Sequence, residues 1–256
     1  EARIPTIATM VPRACFTWVT AKLRSEVSVP LITSNRINTP EVAEAVLARG
    51  DADMISMARP FLADPEFVNK AVEGRSDEIN TCIGCNQACL DHVFSRKRSS
   101  CLVNPQACHE LDLIYEKKMQ TKRVAVIGAG PAGLACATVA AECGHQVTLF
   151  EASNEIGGQF NIAKQIPGKE EFFETIRYFS RRLEVLNVGV SLGKRVDLET
   201  IQAGNFDEVV IATGVLPREP GIPGQEHAKV LTYLDVLRDK KEVGGRVAVI
   251  GAGGIG

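Results

Sequence analysis

No apolar run in the 256-residue sequence reaches the roughly 18 residues that a membrane-spanning helix needs. No secretory leader pattern precedes the first strand-like segment. Neither sign of charge is in excess: 29 Lys and Arg stand against 31 Asp and Glu, for a net charge of −2. The basic residues are dispersed, so there is no electrostatic footprint for nucleic acid. These absences predict a soluble cytoplasmic protein with neither a membrane nor a nucleic-acid partner. Oligomeric state leaves no mark in the sequence. An initiating Met is also missing, and the chain stops at Gly256 inside a glycine motif. A piece of a longer protein is therefore expected.

What is present begins with the core: hydrophobic residues make up 45% of the chain, enough for one large domain or two ordinary ones. Eight cysteines follow, and four of them, Cys82, Cys85, Cys89 and Cys101, fall within twenty residues. Clustered thiols in a large chain without a leader read as metal ligands rather than disulfides.

Three blocks can be traced. Residues 1–75 alternate short apolar strands (29–33, 53–57) with helices. The first helix spans 39–49, with Thr39 as N-cap, Pro40 at the first helical position and Gly50 as stop. A second is predicted to open at Asp64, with Phe67, Val68, Ala71 and Val72 along one side. Two strand–helix units imply parallel strands, and look like the last part of something larger. If they end a (β/α)8 barrel, the loops after the strands form its usual phosphate site. Those loops hold Ser34–Asn35–Arg36 and Ala58–Arg59–Pro60, and arginine suits phosphate as a permanently charged fork. Residues 76–120 hold the cysteines and end in a charged linker, 116–123.

The third block starts with a strand at 123–127, then Gly128-x-Gly130-x-x-Gly133, a helix from about 132 to 143, Gly144 as stop, and a strand at 146–150 ending at Glu151. A lone glycine motif is weak; this one comes in full context. Gly128 permits the turn, Gly130 lets backbone approach a pyrophosphate, and Gly133 lets helix and strand pack closely. The helix start, Pro131 and Ala132 included, offers N–H groups and positive dipole to phosphate. Glu151 can accept two ribose hydroxyls and would repel a 2′-phosphate. A later strand, 208–211, runs into Ala212–Thr213–Gly214. The stretch 247–256 then repeats the pattern of 124–133, placing Gly251, Gly253 and Gly256 in a second nucleotide motif. Domains are thus expected at 121–240, for one dinucleotide, and from 241 onward, for another.

With Gly158–Gln159 after the acidic strand end, this block resembles the two-dinucleotide-binding flavoproteins. The resemblance implies FAD at the first site and NAD(P)H at the second. The disulfide-reductase branch of that family carries a redox cysteine pair after the Gly-Gly stretch. Residues 158–162 (GQFNI) have no cysteine, so electrons must leave FAD by another route.

The cysteine spacing C-x2-C-x3-C-x11-C suits either a [4Fe–4S] cluster or tetrahedral zinc. Its first three members wrap one compact loop, and a cluster would give the neighbouring FAD an outlet. Cys108 lies close enough in sequence to compete with Cys101 as fourth ligand.

The order of barrel end, cysteines, FAD motif and second nucleotide motif resembles the bacterial NADPH-dependent 2,4-dienoyl-CoA reductases. These belong to the old-yellow-enzyme-like flavoproteins, a group that includes trimethylamine dehydrogenase. The likeness rests on EARIPTIATMVPR (1–13), SMARPFLADP (56–65), INTCIGCNQACLD (79–91), SCLVNP (100–105) and EIGGQFNIAKQIPGKEEF (155–172). It implies an α/β fold: the last part of an FMN-binding (β/α)8 barrel, a [4Fe–4S] segment, a Rossmann-like FAD domain and the start of an NAD(P) domain. It implies Asn35, Arg36, Ala58 and Arg59 at FMN. Cys82, Cys85, Cys89 and Cys101 would hold the cluster. Gly128, Gly130, Pro131, Ala132, Gly133, Glu151, Gly158, Gln159, Ala212, Thr213 and Gly214 would lie at FAD. Glu1, Ala2 and Arg3 would sit beside an acyl-CoA substrate. Electrons would pass from NADPH through FAD, cluster and FMN to the dienoyl-CoA of unsaturated fatty-acid β-oxidation. The family's proton-donating Tyr and His fall outside these residues, and His92, His109, His145 and His227 do not match the position. An amine dehydrogenase or N-demethylase of the same group, or an inactive cofactor-binding fragment, are the alternatives.

Overall fold

The computed structural model describes residues 8–251. Its first part opens with helix α1 (Trp18–Leu23). Strands β1 (Ile32–Ser34) and β2 (Met54–Ser56) pair in parallel, Ile32 opposite Met54, with helix α2 (Pro40–Ala48) between them in sequence. Thr39 is extended and its hydroxyl accepts the Val42 N–H at 3.4 Å, so the predicted cap forms. Ile37, Ala43 and Val46 make a small core beneath α2.

Three expectations need correction here. The first strand starts later than 29–33, because Pro30 has no N–H and the Leu31 N–H is taken by the Asp53 carboxylate at 2.8 Å. A short helix that was not expected, α3 (Arg59–Ala63), follows β2. Asp64 does not open the next helix: it folds a turn by accepting the Glu66 N–H at 3.0 Å, and helix α4 runs Phe67–Val72. Only Phe67 of its apolar residues is buried, and Val72 is 82% exposed.

Buried Asp64 organises the approach to the cysteines. It accepts Lys70 Nζ at 2.6 Å and the Asn80 N–H at 2.8 Å. The segment then turns through a 3-10 helix, Ser76–Glu78, and helix α5 (Leu90–Phe94).

The second part is a parallel sheet of β3 (Arg123–Ile127), β4 (Gln146–Phe150), β5 (Gly189–Ser191) and β6 (Glu208–Ile211), in the order β5-β4-β3-β6. Helix α6 (Pro131–Glu142) links β3 to β4, and Gly144, with φ 92°, ends it as predicted. Helices α7 (Phe160–Ala163) and α8 (Phe172–Val185) lie between β4 and β5, and α9 (Leu198–Ala203) between β5 and β6. A short α10 (Tyr233–Leu237) carries a capping box of Thr232 and Asp235. The core joins Val124, Val126, Leu134, Ala137, Val147 and Leu149 to Phe179 and Leu183 of α8. Chain order turns back at β3, which has β4 on one side and β6 on the other. A doubly wound sheet binds its ligand beyond the strand ends at such a reversal.

The strand expected at 246–250 is not formed. Val247, Val249 and Ile250 are exposed, and no neighbouring strand among the described residues completes a ladder.

Helix α8 also joins the two parts. Phe179 and Leu183 pack into the sheet's core, and Thr175 is buried one turn before them. Arg177 donates to the Ile79 carbonyl at 2.7 Å and to Thr81 Oγ1 at 3.2 Å. At the head of the helix, buried Glu171 accepts from Arg13, Arg36 and Asn38. Burial alone raises its carboxyl, but the hydrogen bonds and charges of Arg13 and Arg36 outweigh that and hold it below the ordinary range. A depressed folded value means that the ionised group stabilises above the ordinary carboxylate pKa, and that this contribution is lost as pH falls through the folded value. Acidification through the folded value, below the ordinary carboxylate range, should therefore release the contact between α8 and residues 9–38. Protection factors in that segment, taken relative to the intrinsic exchange rate at each pH, should fall as the carboxylate is protonated; protection factors independent of pH would contradict the assignment.

Candidate functional site

Two sites emerge. The first lies beyond the ends of β3 and β6. Gly128 has φ 106°, and a Cβ there would stand 2.3 Å from the Ala212 carbonyl oxygen. A Cβ on Gly133 would stand 1.8 Å from the Gly128 oxygen. Only glycine lets the turn touch the end of β6 and lets α6 pack against the turn. Gly130 differs: nothing lies within 4 Å of its missing Cβ, so this position opens onto the crevice. Pro131 is the first residue of α6, and Ala132 and Gly133 complete its opening turn.

Glu151 bounds the crevice from the end of β4. One carboxylate oxygen accepts the Ala129 N–H at 2.7 Å, and the other accepts the Ser153 N–H at 2.8 Å. Partial burial pushes the acid up, while these N–H donors and the Ser153 hydroxyl pull it down further, leaving it below the ordinary range. The group is an anion at neutral pH, with acceptor capacity to spare for a diol. Gly157 donates to the Ala129 carbonyl at 2.7 Å, and Gly158, with φ 53°, packs against Gly130. The Gln159 amide reaches the Val215 carbonyl, just after Ala212–Thr213–Gly214. The segments predicted to share a dinucleotide are thus brought together.

The second site is a cavity lined by Cys82, Cys85, Cys89 and Cys101, with Arg59, Leu62, Ile83, Asn86, Leu102 and Val103. Cys108 does not line it, nor does any histidine. Two asparagines hold its walls together. Asn80 donates to the Val103 carbonyl at 2.8 Å, and Asn104 donates to the Leu62 carbonyl at 2.9 Å. Gly84 has φ 64°, and its missing Cβ would stand 3.1 Å from Thr9 backbone, so the cysteine loop can lie flat on the first part. Burial raises the Cys82 and Cys85 thiols and pushes Cys101 up to about 11.

Among the described residues, no three His, Cys, Asp or Glu side chains stand close enough to share one metal ion. Four thiolates on one tetrahedral zinc would lie about 3.8 Å apart, from Zn–S bonds of about 2.3 Å. Thiolates on the four irons of a cube stand further apart, each on its own iron. Four thiols around one cavity, with no histidine or carboxylate in its lining, are a donor set that suits the larger group.

The strand-end loops are less simple than expected. The Arg36 guanidinium is not a free fork: Nε donates to the Val11 carbonyl at 2.7 Å and Nη2 to Glu171 at 2.6 Å, in a side chain 3% exposed. Arg59 turns to the Asn86 side chain in the cysteine loop. Ala58 precedes α3 as its N-cap. Asn35 and Arg36 both have positive φ, 73° and 55°, so two successive non-glycine residues turn through the left-handed region after β1. Sequence reasoning missed Glu171, Asn38 and Arg13; the only signal was the acidic pair Glu170–Glu171, and its partners lie 133 or more residues away. Glu1, Ala2, Arg3, Gly253 and Gly256 lie outside the described residues, while Gly251 has φ 110°.

Comparisons with known proteins agree with this division. Residues 122–256 match the pyridine nucleotide-disulphide oxidoreductase family, and residues 1–78 match the NADH:flavin oxidoreductase / NADH oxidase family. The chain is similar to a metal reductase of Desulforamulus reducens strain MI-1, 42% identical over 100% of this chain and 39% of that protein. It is also similar to a bilirubin reductase of Mediterraneibacter gnavus, 37% identical over 99% of this chain and 39% of that protein. The chain therefore spans about two-fifths of the length of these relatives. Among solved structures, a 2-naphthoyl-CoA reductase complexed with 2-naphthoyl-CoA superposes with a TM-score of 0.89 at 34% identity, covering 93% of this chain and 36% of that one. The chain belongs to the pyridine nucleotide-disulphide oxidoreductase family, and carries ahead of that domain a segment of the old-yellow-enzyme-like NADH:flavin oxidoreductases.

Proposed function

We propose that the protein containing this chain reduces a 2,4-dienoyl-CoA with NADPH, using FAD, a [4Fe–4S] cluster and FMN. The observation that carries the reading is the cavity shared by Cys82, Cys85, Cys89 and Cys101, with Arg59 of a strand-end loop in its wall. When bound, two flavins would supply one- or two-electron chemistry, with the cluster passing single electrons between them. A CoA thioester as substrate draws support from the naphthoyl-CoA complex that the fold resembles.

Each residue then has a task. Gly130 and the first turn of α6 receive the FAD pyrophosphate, Glu151 takes the ribose hydroxyls, and Gln159 with Ala212–Thr213–Gly214 closes the crevice. Backbone at Asn35 and Arg36, with Ala58 and Arg59, holds FMN. The motif of Gly251, Gly253 and Gly256 takes the nicotinamide nucleotide. Glu1, Ala2 and Arg3 border the substrate. Ile83, Leu62, Leu102 and Val103 keep water from the cysteine centre.

Three outcomes test this. Glu151→Ala should weaken FAD retention by roughly tenfold or more, as expected when a charge-assisted contact is lost; flavin analysis showing full FAD content would contradict the ribose role. Cys85→Ser should leave reduction of FAD by NADPH intact in stopped-flow absorbance while stopping turnover of the dienoyl-CoA. Undiminished turnover would sink the relay. Steady-state assays should show NADPH consumption with 2,4-dienoyl-CoA. Oxidation of a secondary or tertiary amine in its place would assign the protein to the amine-dehydrogenating branch.

A further inference from the structure

Glu171 lies outside every motif that the proposed chemistry uses, yet it is among the most thoroughly bonded side chains in the molecule. One carboxylate oxygen accepts from Arg36 Nη2 at 2.6 Å and Arg13 Nε at 2.9 Å. The other accepts from Arg13 Nη2 at 2.6 Å and Asn38 Nδ2 at 3.0 Å. The same Asn38 nitrogen donates to the Cys82 carbonyl at 2.9 Å. Asn38 is 2% exposed and its Oδ1 has no partner. Its amide is held entirely by the bonds it donates, so its orientation is set by Glu171 on one side and Cys82 on the other.

A buried ion pair is a poor device for stability alone, because the desolvation of its members offsets most of their attraction. Apolar residues would join the two parts at least as well. Here the ions instead connect three functional segments: Arg36 in the strand-end loop, Cys82 in the cysteine loop, and the head of α8 in the dinucleotide domain. Glu171, Arg36 and Asn38 are buried, so charge here is weakly screened along the path through Asn38 to Cys82.

We infer that Glu171 is a positioning residue for electron transfer: through Asn38 it fixes the Cys82 backbone, and by neutralising Arg13 and Arg36 it sets the reduction potential of the centre held by the four cysteines. This rests on the cluster reading above. Without the carboxylate, Arg36 has no anionic partner and Arg13 keeps only Glu174, so the more negative, reduced state of the centre becomes easier to reach. Removal of Arg13 has the opposite sign, since Glu171 and Glu174 both lose a partner.

The test is a redox titration of the full-length protein followed by electron paramagnetic resonance. Glu171→Gln should shift the midpoint potential upward and Arg13→Gln downward, while Glu171→Asp stays near the parent value. Neutralising exposed Glu170, which only accepts the Gly168 N–H at 3.0 Å, should leave the potential in place. Mere loosening of the interface would move both variants in the same direction, so equal signs, or no shift in either, overturn the inference. Should Glu171→Gln lose its centre, the sign of the Arg13→Gln shift decides. If the parent protein holds no iron, the cluster reading has failed instead, and the titration distinguishes the two failures.

Discussion

Much of this structure depends on where one carboxylate is held. Glu171 begins the helix that fills one face of the parallel sheet, and it reaches out of that domain to two arginines and an asparagine of the first part. Its partners are not interchangeable surface charges. Arg36 stands in the left-handed turn after β1, and Asn38 holds the carbonyl of the first cysteine. A contact made of exposed side chains would leave the two parts free to drift, whereas buried, multiply bonded ions fix orientation. Electron transfer between centres needs such fixed spacing.

The dinucleotide domain is built on a different constraint, the exclusion of atoms. Missing Cβ atoms at Gly128 and Gly133 let β3, β6 and α6 meet at one point, while Gly130 leaves space for a ligand. The reversal of strand order at β3 makes the crevice, and the glycines decide that backbone lines it. Close packing and ligand access are thus assigned to different glycines of a single motif.

The dinucleotide domain was readable in the sequence because its signals are local. Strands 123–127, 146–150 and 208–211 form where the apolar runs stand, and Gly144 ends α6 because a left-handed residue does so regardless of context. The first part was harder to read. Pro30, without an N–H, and the Asp53 carboxylate, 22 residues from the Leu31 N–H it accepts, shortened β1, while Asp64 capped its own turn at Glu66 and reached on to the Asn80 N–H. The same reason hid the centre of the interface. Arg36 was expected to offer a free cationic fork, but its partner lies 135 residues away. The four cysteines were legible by spacing, whereas Asn80 and Asn104, which bring their loops together, bond only to distant carbonyls.

All of these features converge on the cysteine cavity: Arg59 and Asn86 at its rim, Asn80 and Asn104 in its walls, Asn38 and Glu171 behind Cys82. The account stands on what that cavity holds. Iron and acid-labile sulfide should be measured on the full-length protein purified without oxygen. The account predicts about four of each per polypeptide at this site, lost together when Cys82 or Cys101 is replaced by serine. Stoichiometric zinc without sulfide, or an iron content unchanged by those replacements, would contradict it.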